Sequence, residues 1–323
     1  MNRRDTVIAL LAIGATAGPF AAFAQQQPGK ARRILLYTTS AQARDWFVGG
    51  MRDLGWIEGR NITVKVNAAQ EVDEAALRSA LLDRNQPVDV VVMAAALRIR
   101  AAMNVTETVP IVGIDLESDP VAGGFVKSLA RPGANVSGVW MDLPELTGKH
   151  LQLLREAVSP LRRVGVVWDD RFAGPHFAHA ETAARALNMT LSSVAIHGAA
   201  DIAGAMERML AQRPQALLVL SSPTVFVSLP RIAELARDHR LPSVCLFSTY
   251  ADAGGFLSYG PDFSSMYRQL AGYVDRILKG ARVGDLPIER PTRFELVINL
   301  KTAKALGLTI PQSVRQRADR VIE

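Results

Sequence analysis

Cysteine is almost absent from this chain of 323 residues, which contains a single one, Cys245. One cysteine excludes an internal disulfide bond, whatever the redox state of the compartment in which the protein works. Cys245 lies in the apolar stretch 244–247, where a thiol is most simply a small buried hydrophobic group. The fold must therefore be held together by its core and not by covalent cross-links.

Concentrated positive charge is also missing. The net charge is +6, but the basic residues are spread along the chain in pairs such as Arg32-Arg33 and Arg162-Arg163. A nucleic-acid-binding face needs a basic patch on one surface, and here no basic block is interleaved with aromatic residues. The charge pattern predicts a solvated surface and no nucleic-acid partner.

The short motifs of several enzyme classes are lacking. The sequence contains no G-x-G-x-x-G, no Walker A motif and no G-x-S-x-G nucleophile elbow. His176 and His179 could share a helix face, but no third metal ligand follows at a suitable spacing. Asp169 and Asp170 could form an acid–base pair, although capping a helix or binding a ligand amine are commoner uses. We expect no enzyme, no cofactor and no metal site.

Charge is absent from Thr6 to Ala24, directly after a short basic start. Pro19 interrupts this apolar run, which leaves too few residues to span a bilayer. The run ends in Ala22-Phe23-Ala24, a small-x-small cleavage site. The pattern predicts that residues 1–24 are a cleaved signal peptide and that the mature protein is periplasmic, with a membrane anchor or a buried helix as the alternative.

The basic start contains Arg3 and Arg4, so both the general and the twin-arginine export routes are open. No cysteine follows the apolar run, which argues against a lipid anchor. We expect no membrane insertion after cleavage.

Strand-like and helix-like runs alternate in the first half of the mature chain. The run 88–93 is continuously apolar, as is typical of a strand covered on both faces, and Asp73 suits a helix N-cap. Strands that alternate with helices imply βαβ units and a parallel sheet. The predicted strands are 34–37, 62–66, 88–93 and 110–114, and the predicted helices are 41–54, 73–84 and 95–104.

The same pattern then starts again, because 162–168 is similar to 32–37 and is also followed by a polar loop and a helix. Two similar series predict an α/β protein with two similar lobes. The segment 131–138 has the turn residues expected of the connection between them. The second series has predicted strands at 162–168, 190–196, 216–220 and 243–247, and helices that end at 187, 212 and 239.

Ligands of parallel α/β sheets bind beyond the carboxyl ends of the strands, and clefts between domains are favoured ligand sites. We therefore expect a ligand cleft between the lobes. Trp168 ends a predicted strand and would either stack on the ligand or pack in the core. The predicted ligand-binding residues are Thr39, Ser40, Ala95, Arg98, Asp115, Ser137, Trp168, Asp169, Ser221, Ser222, Phe247 and Tyr250.

The last third of the chain has the most specific motifs. They are 255–260 (GFLSYG), 273–280 (YVDRILKG) and 286–311 (LPIERPTRFELVINLKTAKALGLTIP), with 54–61 (LGWIEGRN) and 129–138 (LARPGANVSG) earlier in the chain. Over essentially the whole mature chain, these residues resemble the ABC-transporter substrate-binding proteins of the tryptophan/tyrosine-binding type.

The resemblance implies a type I periplasmic-binding-protein fold, with two Rossmann-like lobes of parallel sheets and a ligand between them. Lobe 1 would consist of 31–138 and 260–283, and lobe 2 of 139–259 and 284–323. The resemblance also implies a monomeric receptor that closes by a hinge motion on a small organic solute, such as an amino acid, an aromatic or another small carboxylate. The receptor would dock transiently on an inner-membrane ABC permease and deliver its ligand to that importer.

One loop departs from the family pattern. After the strand 88–92, relatives usually carry a glycine and a hydroxyl residue followed by proline, whereas this chain reads 93–98 (MAAALR). The hydroxyl that would bind a ligand carboxylate is missing. Arg98 would either replace it as an anion contact or face solvent.

Three other functions are compatible with parts of this pattern. A ligand sensor that presents its solute to a membrane receptor would have the same fold. A periplasmic α/β enzyme would need a nucleophile and a base, and none is recognisable. A transcription regulator would need a helix-turn-helix head, and the export signal stands in its place.

Overall fold

The computed structural model describes residues 31–38, 40–68, 72–141 and 143–323. The predicted signal segment 1–24 and the predicted site residue Thr39 lie outside the described residues. The first strands are β1 (Arg32–Tyr37), β2 (Ile62–Asn67), β3 (Val90–Ala94), β4 (Ile111–Asp115) and β5 (Val136–Trp140), and the first helices are α1 (Ala41–Asp53), α2 (Glu74–Leu82) and α3 (Ala96–Val105).

These five strands form one parallel sheet in the order β2-β1-β3-β4-β5. Every residue of β4 is buried, as expected for a parallel strand that helices cover on both faces. Asp73 caps α2 by accepting the Ala76 N–H at 2.9 Å, and Ser40 caps α1 by accepting the Ala43 N–H at 3.3 Å. The predicted alternation of strands and helices and the predicted cap at Asp73 are confirmed.

A second sheet follows in the rest of the described chain. Its strands are β6 (Arg163–Trp168), β7 (Thr190–Ala195), β8 (Ala216–Val219), β9 (Ser243–Cys245), β10 (Leu257–Pro261), β11 (Phe294–Asn299) and β12 (Arg320–Ile322). The helices in this part are α4 (Leu143–Ala157), α5 (Gly174–Ala186), α6 (Ile202–Leu210), α7 (Pro223–Asp238), α8 (Ser248–Asp252), α9 (Phe263–Leu278), α10 (Leu300–Ala305) and α11 (Gln312–Arg315).

The strand order in the second sheet is β12-β11-β10-β9-β8-β6-β7. The strands from β6 to β10 pair in parallel, and β11 runs antiparallel to β10. Cys245 is buried in β9, where burial raises the pKa of its thiol to about 12. The predicted α/β class with two mostly parallel sheets is confirmed.

The segment 131–138 differs from the predicted connection between the lobes. Its last residues belong to β5, which pairs with β4, so the segment lies inside the first lobe. Gly138 has φ +141°, and a Cβ there would lie 2.0 Å from the carbonyl oxygen of Gly113. Glycine is needed at 138 because the backbones of β4 and β5 approach closely there. Gly138, which in the sequence indicated a turn, therefore permits the pairing of two strands.

The chain passes between the two sheets three times in the described residues. It leaves the first sheet after Met141, returns where β10 ends and α9 begins, and leaves again between Glu289 and Phe294. The third passage lies beyond the expected boundary at 283/284, because Glu289 still pairs with β5 through the amide of Trp140.

We call the first sheet with α1, α2, α3 and α9 lobe 1, because α9 packs on α1 and on β3, β4 and β5. Lobe 2 is the second sheet with the remaining helices. None of the helices in the described part of the chain combines the length and hydrophobicity that a bilayer crossing requires.

Candidate functional site

A cavity lies between the lobes, beyond the carboxyl ends of β1, β3 and β4 on one side and β8 and β9 on the other. The space between its walls, with the mouth included, is about 810 Å³. Small-molecule sites in proteins are favoured where domains meet. The cavity is thus the candidate site by its position in the fold.

Aromatic side chains from both lobes form much of the cavity wall. Trp46 of α1 and Tyr267 of α9 have ring centroids 6.2 Å apart on lobe 1. Phe226 meets Phe247 edge to face at 4.9 Å, and Phe247 lies 5.5 Å from Phe263. Such a wall can hold an apolar or aromatic group, and it can attract a cation through its ring faces.

Arg98 is the basic residue among the described side chains of the cavity wall. It lies in the first turn of α3, is 5% exposed, and donates a hydrogen bond to the Ala94 carbonyl oxygen at 3.0 Å. Burial lowers the pKa of Arg98, but an arginine stays protonated in a protein. The guanidinium therefore supplies a positive charge to a largely apolar cavity.

Ala95 precedes α3 with φ +77°, a backbone conformation that residues with a side chain rarely adopt. The conformation directs the first amides of α3 toward Asp115, whose carboxylate accepts the Ala96 N–H at 2.9 Å. The same carboxylate accepts the Ser118 N–H at 2.8 Å and a hydrogen bond from the Ser118 hydroxyl. Asp115 therefore fixes the loops that follow β3 and β4.

Glu117 joins the two lobes across the cleft. Its Oε1 accepts a hydrogen bond from the Ser221 hydroxyl, with 2.6 Å between the oxygens. Burial, and then the neighbouring Asp115 carboxylate, raise the pKa of Glu117 from 4.5 to about 8. At neutral pH this carboxyl group holds its proton, because its negative charge would be poorly solvated and close to a like charge.

Hydroxyl groups complete the polar part of the wall. On lobe 1, the Thr38 and Tyr267 hydroxyl oxygens lie 3.0 Å apart. Lobe 2 contributes Ser222 from the loop after β8, and Ser248 and Thr249 from the start of α8. The buried Thr249 hydroxyl has no hydrogen-bond partner within the described part of the chain, which leaves it available to a bound molecule.

Several of the predicted site residues are brought together in this cavity. The carboxyl ends of the parallel strands meet at one edge, so residues far apart in the chain become neighbours. Ser221 contacts the cavity through its hydrogen bond to Glu117. The predicted residues that line the cavity are Ser40, Ala95, Arg98, Asp115, Ser222 and Phe247.

Four other predicted residues lie outside the cavity wall. The Ser137 hydroxyl donates to the Leu286 carbonyl oxygen at 2.7 Å and so ties β5 to the segment beside it. The Trp168 ring stacks on Phe177, with centroids 4.5 Å apart, so α5 covers it. This packing corresponds to the second of the two alternatives that the sequence left open for Trp168.

Asp169 and Tyr250 are used within lobe 2. Asp169 is buried, and although burial opposes ionisation, hydrogen bonds from Arg171 lower its pKa. The Tyr250 hydroxyl donates to Ser243 at 2.7 Å from a fully buried position. Both side chains point toward the lobe's own interior, which the position at a strand end does not reveal.

Sequence reasoning missed Glu117 and most of the aromatic wall. Glu117 follows Asp115 by two residues, so continued strand alternation past the end of β4 would have indicated it. Trp46 and Tyr267 lie on helices and offered no strand-end signal. Among the described residues, no group of three or more His, Cys, Asp or Glu side chains lies close enough to hold a metal ion.

The comparison with known families settles the relationship. The model of the family described as ABC transporter substrate binding protein matches residues 37–322. The chain belongs to this family. The sequence resemblance to ABC-transporter substrate-binding proteins is confirmed, and so is the type I periplasmic-binding-protein fold that it implied.

Three relatives are similar to this chain over most of its length. A tyrosine-binding protein of Clostridioides difficile (strain R20291) is 23% identical over 269 residues, which are 83% of this chain and 77% of the relative. The structure of an ABC domain in complex with L-Trp from Streptococcus pneumonia has a TM-score of 0.79 and 21% identity, with 91% of this chain and all of that chain covered. A conserved domain protein from Vibrio cholerae has the same TM-score and coverage at 24% identity.

Proposed function

We propose that the chain is a periplasmic solute receptor that encloses a small organic molecule between its lobes and delivers it to an ABC-type importer. The observation that carries the proposal is the cavity itself, because both lobes contribute aromatic and polar groups to one wall. A ligand that contacts both sides stabilises the closed arrangement over the open one, which is how a hinged receptor couples binding to closure.

The solute class that we propose is an amino acid, an aromatic acid or another small carboxylate. Arg98, in the first turn of α3, offers a positive charge and side-chain N–H donors to a carboxylate. The rings of Trp46, Phe226 and Phe247 can pack against an apolar side chain. The relatives named for tyrosine and bound to L-Trp support the same class.

A thermal-shift screen of the mature protein against amino acids and aromatic carboxylates tests this function. A solute at 100 times its dissociation constant adds about 2.7 kcal/mol to the free energy of unfolding, which raises the melting temperature by several degrees. Thr249→Val removes a cavity hydroxyl at almost constant volume and should reduce the shift. Thr182→Val is the matched control, since this exposed hydroxyl donates to the Ala178 carbonyl oxygen within α5, away from the cavity. The receptor function is refuted if no solute in the screen stabilises the protein.

Export and delivery need experiments in cells. Fractionation should place the protein, shortened by its first residues, in the periplasm. Deletion of the gene should abolish uptake of the solute found in the screen, and the intact gene should restore it. Unchanged uptake in the deletion strain would contradict a role in import while leaving solute binding in place.

A further inference from the structure

Two carboxylic acids lie at the end of β4, and the structure uses them differently. Asp115 is 1% exposed and accepts three hydrogen bonds, from the Ala96 amide and from the amide and hydroxyl of Ser118. These hydrogen bonds fix Asp115 as part of the scaffold. The Glu117 carboxyl group accepts the Ser221 bond, is hydrogen-bonded to Asp115 and to the Leu116 backbone as well, and lines the cavity that a solute would occupy.

The described charged groups of the cavity wall include more carboxyl groups than cations. On lobe 1 the groups that face Glu117 are Asp115 at the end of β4, Arg98 on α3, and the titratable hydroxyl of Tyr267 on α9. The described lining residues of lobe 2 are uncharged, and the ion pair between Asp169 and Arg171 reaches α7 through Thr224. Among the described lining residues, the one basic side chain, Arg98, thus faces two carboxyl groups, Asp115 and Glu117.

The aromatic side chains of the cavity wall also favour a cation. Trp46, Phe226, Phe247 and Phe263 present a group of rings to the same cavity, and ring faces attract organic cations. An ammonium group in this cavity would meet the Glu117 carboxyl group on one side and aromatic rings on the other. The Glu117 carboxyl group is itself held by the 2.6 Å hydrogen bond from Ser221 of lobe 2. The wall thus offers a carboxyl group and ring faces to a ligand cation, besides the positive charge that Arg98 supplies.

We propose that Glu117 is the specificity-determining residue of the cleft, and that it selects solutes with a protonated amine and releases a proton when they bind. This inference rests on the proposed receptor function, because it concerns the same cavity. In the binding step, the Glu117 carboxyl group loses its proton to the solvent and the resulting carboxylate accepts a hydrogen bond from the ligand ammonium group. Covalent bonds other than the O–H bond of Glu117 stay intact.

The proposal predicts how affinity depends on pH. Below pH 8 the free receptor holds the proton that must leave, so affinity for an amine-bearing solute should rise close to tenfold from pH 6 to pH 7. Binding at pH 7 should release close to one proton per ligand. A solute of the same shape without the amine leaves Glu117 protonated, and its affinity should not rise with pH.

Matched pairs of probes make the test direct. The pairs are L-tyrosine with 3-(4-hydroxyphenyl)propionate, L-tryptophan with indole-3-propionate, and L-leucine with 4-methylpentanoate. Calorimetric titration of the mature protein at pH 7, in phosphate and in Tris, measures affinity and counts released protons from the difference between the buffers. We expect the amino acid of at least one pair to bind tenfold or more tightly than its deaminated partner, with proton release.

Glu117→Gln should bind the two members of that pair with affinities that differ less than threefold, and without proton release. The glutamine can still accept the Ser221 bond but cannot ionise, so a purely structural role would survive this substitution. Glu107→Gln is the matched control, because this exposed carboxylate lies after α3 and away from the cavity wall. It should keep both the preference and the proton release of the wild type.

The outcomes separate this inference from the function on which it depends. If no probe and no solute of the wider screen binds, the receptor function fails and the inference fails with it. If the deaminated acids bind as well as the amino acids, or if Glu117→Gln keeps the amine preference and the proton release, the receptor function stands and the role of Glu117 is overturned.

Discussion

Replacing Glu117 by glutamine should stabilise the folded protein, and the gain should grow with pH. The raised pKa of Glu117 means that the folded protein holds a proton between pH 4.5 and pH 8 that the unfolded chain has already released. The free energy of unfolding therefore falls as pH rises through this window, by about 1.4 kcal/mol for each pH unit. The stability contributed by the neutral acid is complete below pH 4.5 and is lost by pH 8.

Glutamine is a close mimic of the neutral acid and does not titrate. It can accept the hydrogen bond that Ser221 donates to Glu117 Oε1 at 2.6 Å, and its amide can face Asp115 without a repelling charge. Compared with the wild type, Glu117→Gln should gain about 3 kcal/mol between pH 5 and pH 7.5. That is a large share of the 5–15 kcal/mol by which proteins of ordinary size are stable.

Urea unfolding at a series of pH values from 5 to 8.5, followed by tryptophan fluorescence, measures this difference directly. The many other titrating groups cancel when the variant is compared with the wild type at each pH. Glu107→Gln, at an exposed carboxylate, should give a curve parallel to the wild type. A parallel curve for Glu117→Gln as well would refute the reasoning, because it would mean that water reaches the Glu117 carboxyl group in a cleft that stands open.

Four further substitutions test the packing of the two lobes. Ala95→Gly should stabilise the protein by about 1 kcal/mol in urea unfolding, since φ +77° strains an alanine; a loss of stability would contradict the strain. Gly138→Ala should lower the free energy of unfolding by more than about 3 kcal/mol or prevent folding, because its Cβ would meet the Gly113 carbonyl oxygen. Gly272→Ala, which has open space around it in α9, should raise the free energy of unfolding by up to about 1 kcal/mol. Trp168→Ala should lower the free energy of unfolding by about 3 kcal/mol through loss of the Phe177 stacking, and a large fall in solute affinity at unchanged stability would place Trp168 in the binding site after all.

The strands and helices were largely readable from the sequence because they depend on local patterns. Continuous apolar runs such as the one in β3 indicate buried parallel strands, and Asp73 marks the start of α2 by capping it. The restart of the pattern at 162–168 indicated a second sheet, and the C-terminal motifs identified the family. Each of these signals lies within a few residues of the element that it predicts.

The identity of the site residues depended on the tertiary structure. Ser40, Arg98, Asp115 and Phe247 reach the cavity because strand ends converge there, but the same rule also selected Tyr250, whose side chain turns into its own lobe. Which way a side chain points at a strand end depends on the helix that covers it. A single sequence does not show that helix in place.

The absence of a cysteine pair excluded covalent cross-links from the sequence alone, and the alternation of strands and helices determined two sheets with a cleft between them. Only the folded chain brings Glu117 of lobe 1 within 2.6 Å of Ser221 of lobe 2, more than a hundred residues away. The pKa of Glu117 depends on that arrangement, because burial and a neighbouring carboxylate act through space. The sequence thus determined where a ligand could bind, and the tertiary structure decided which charges it would meet there.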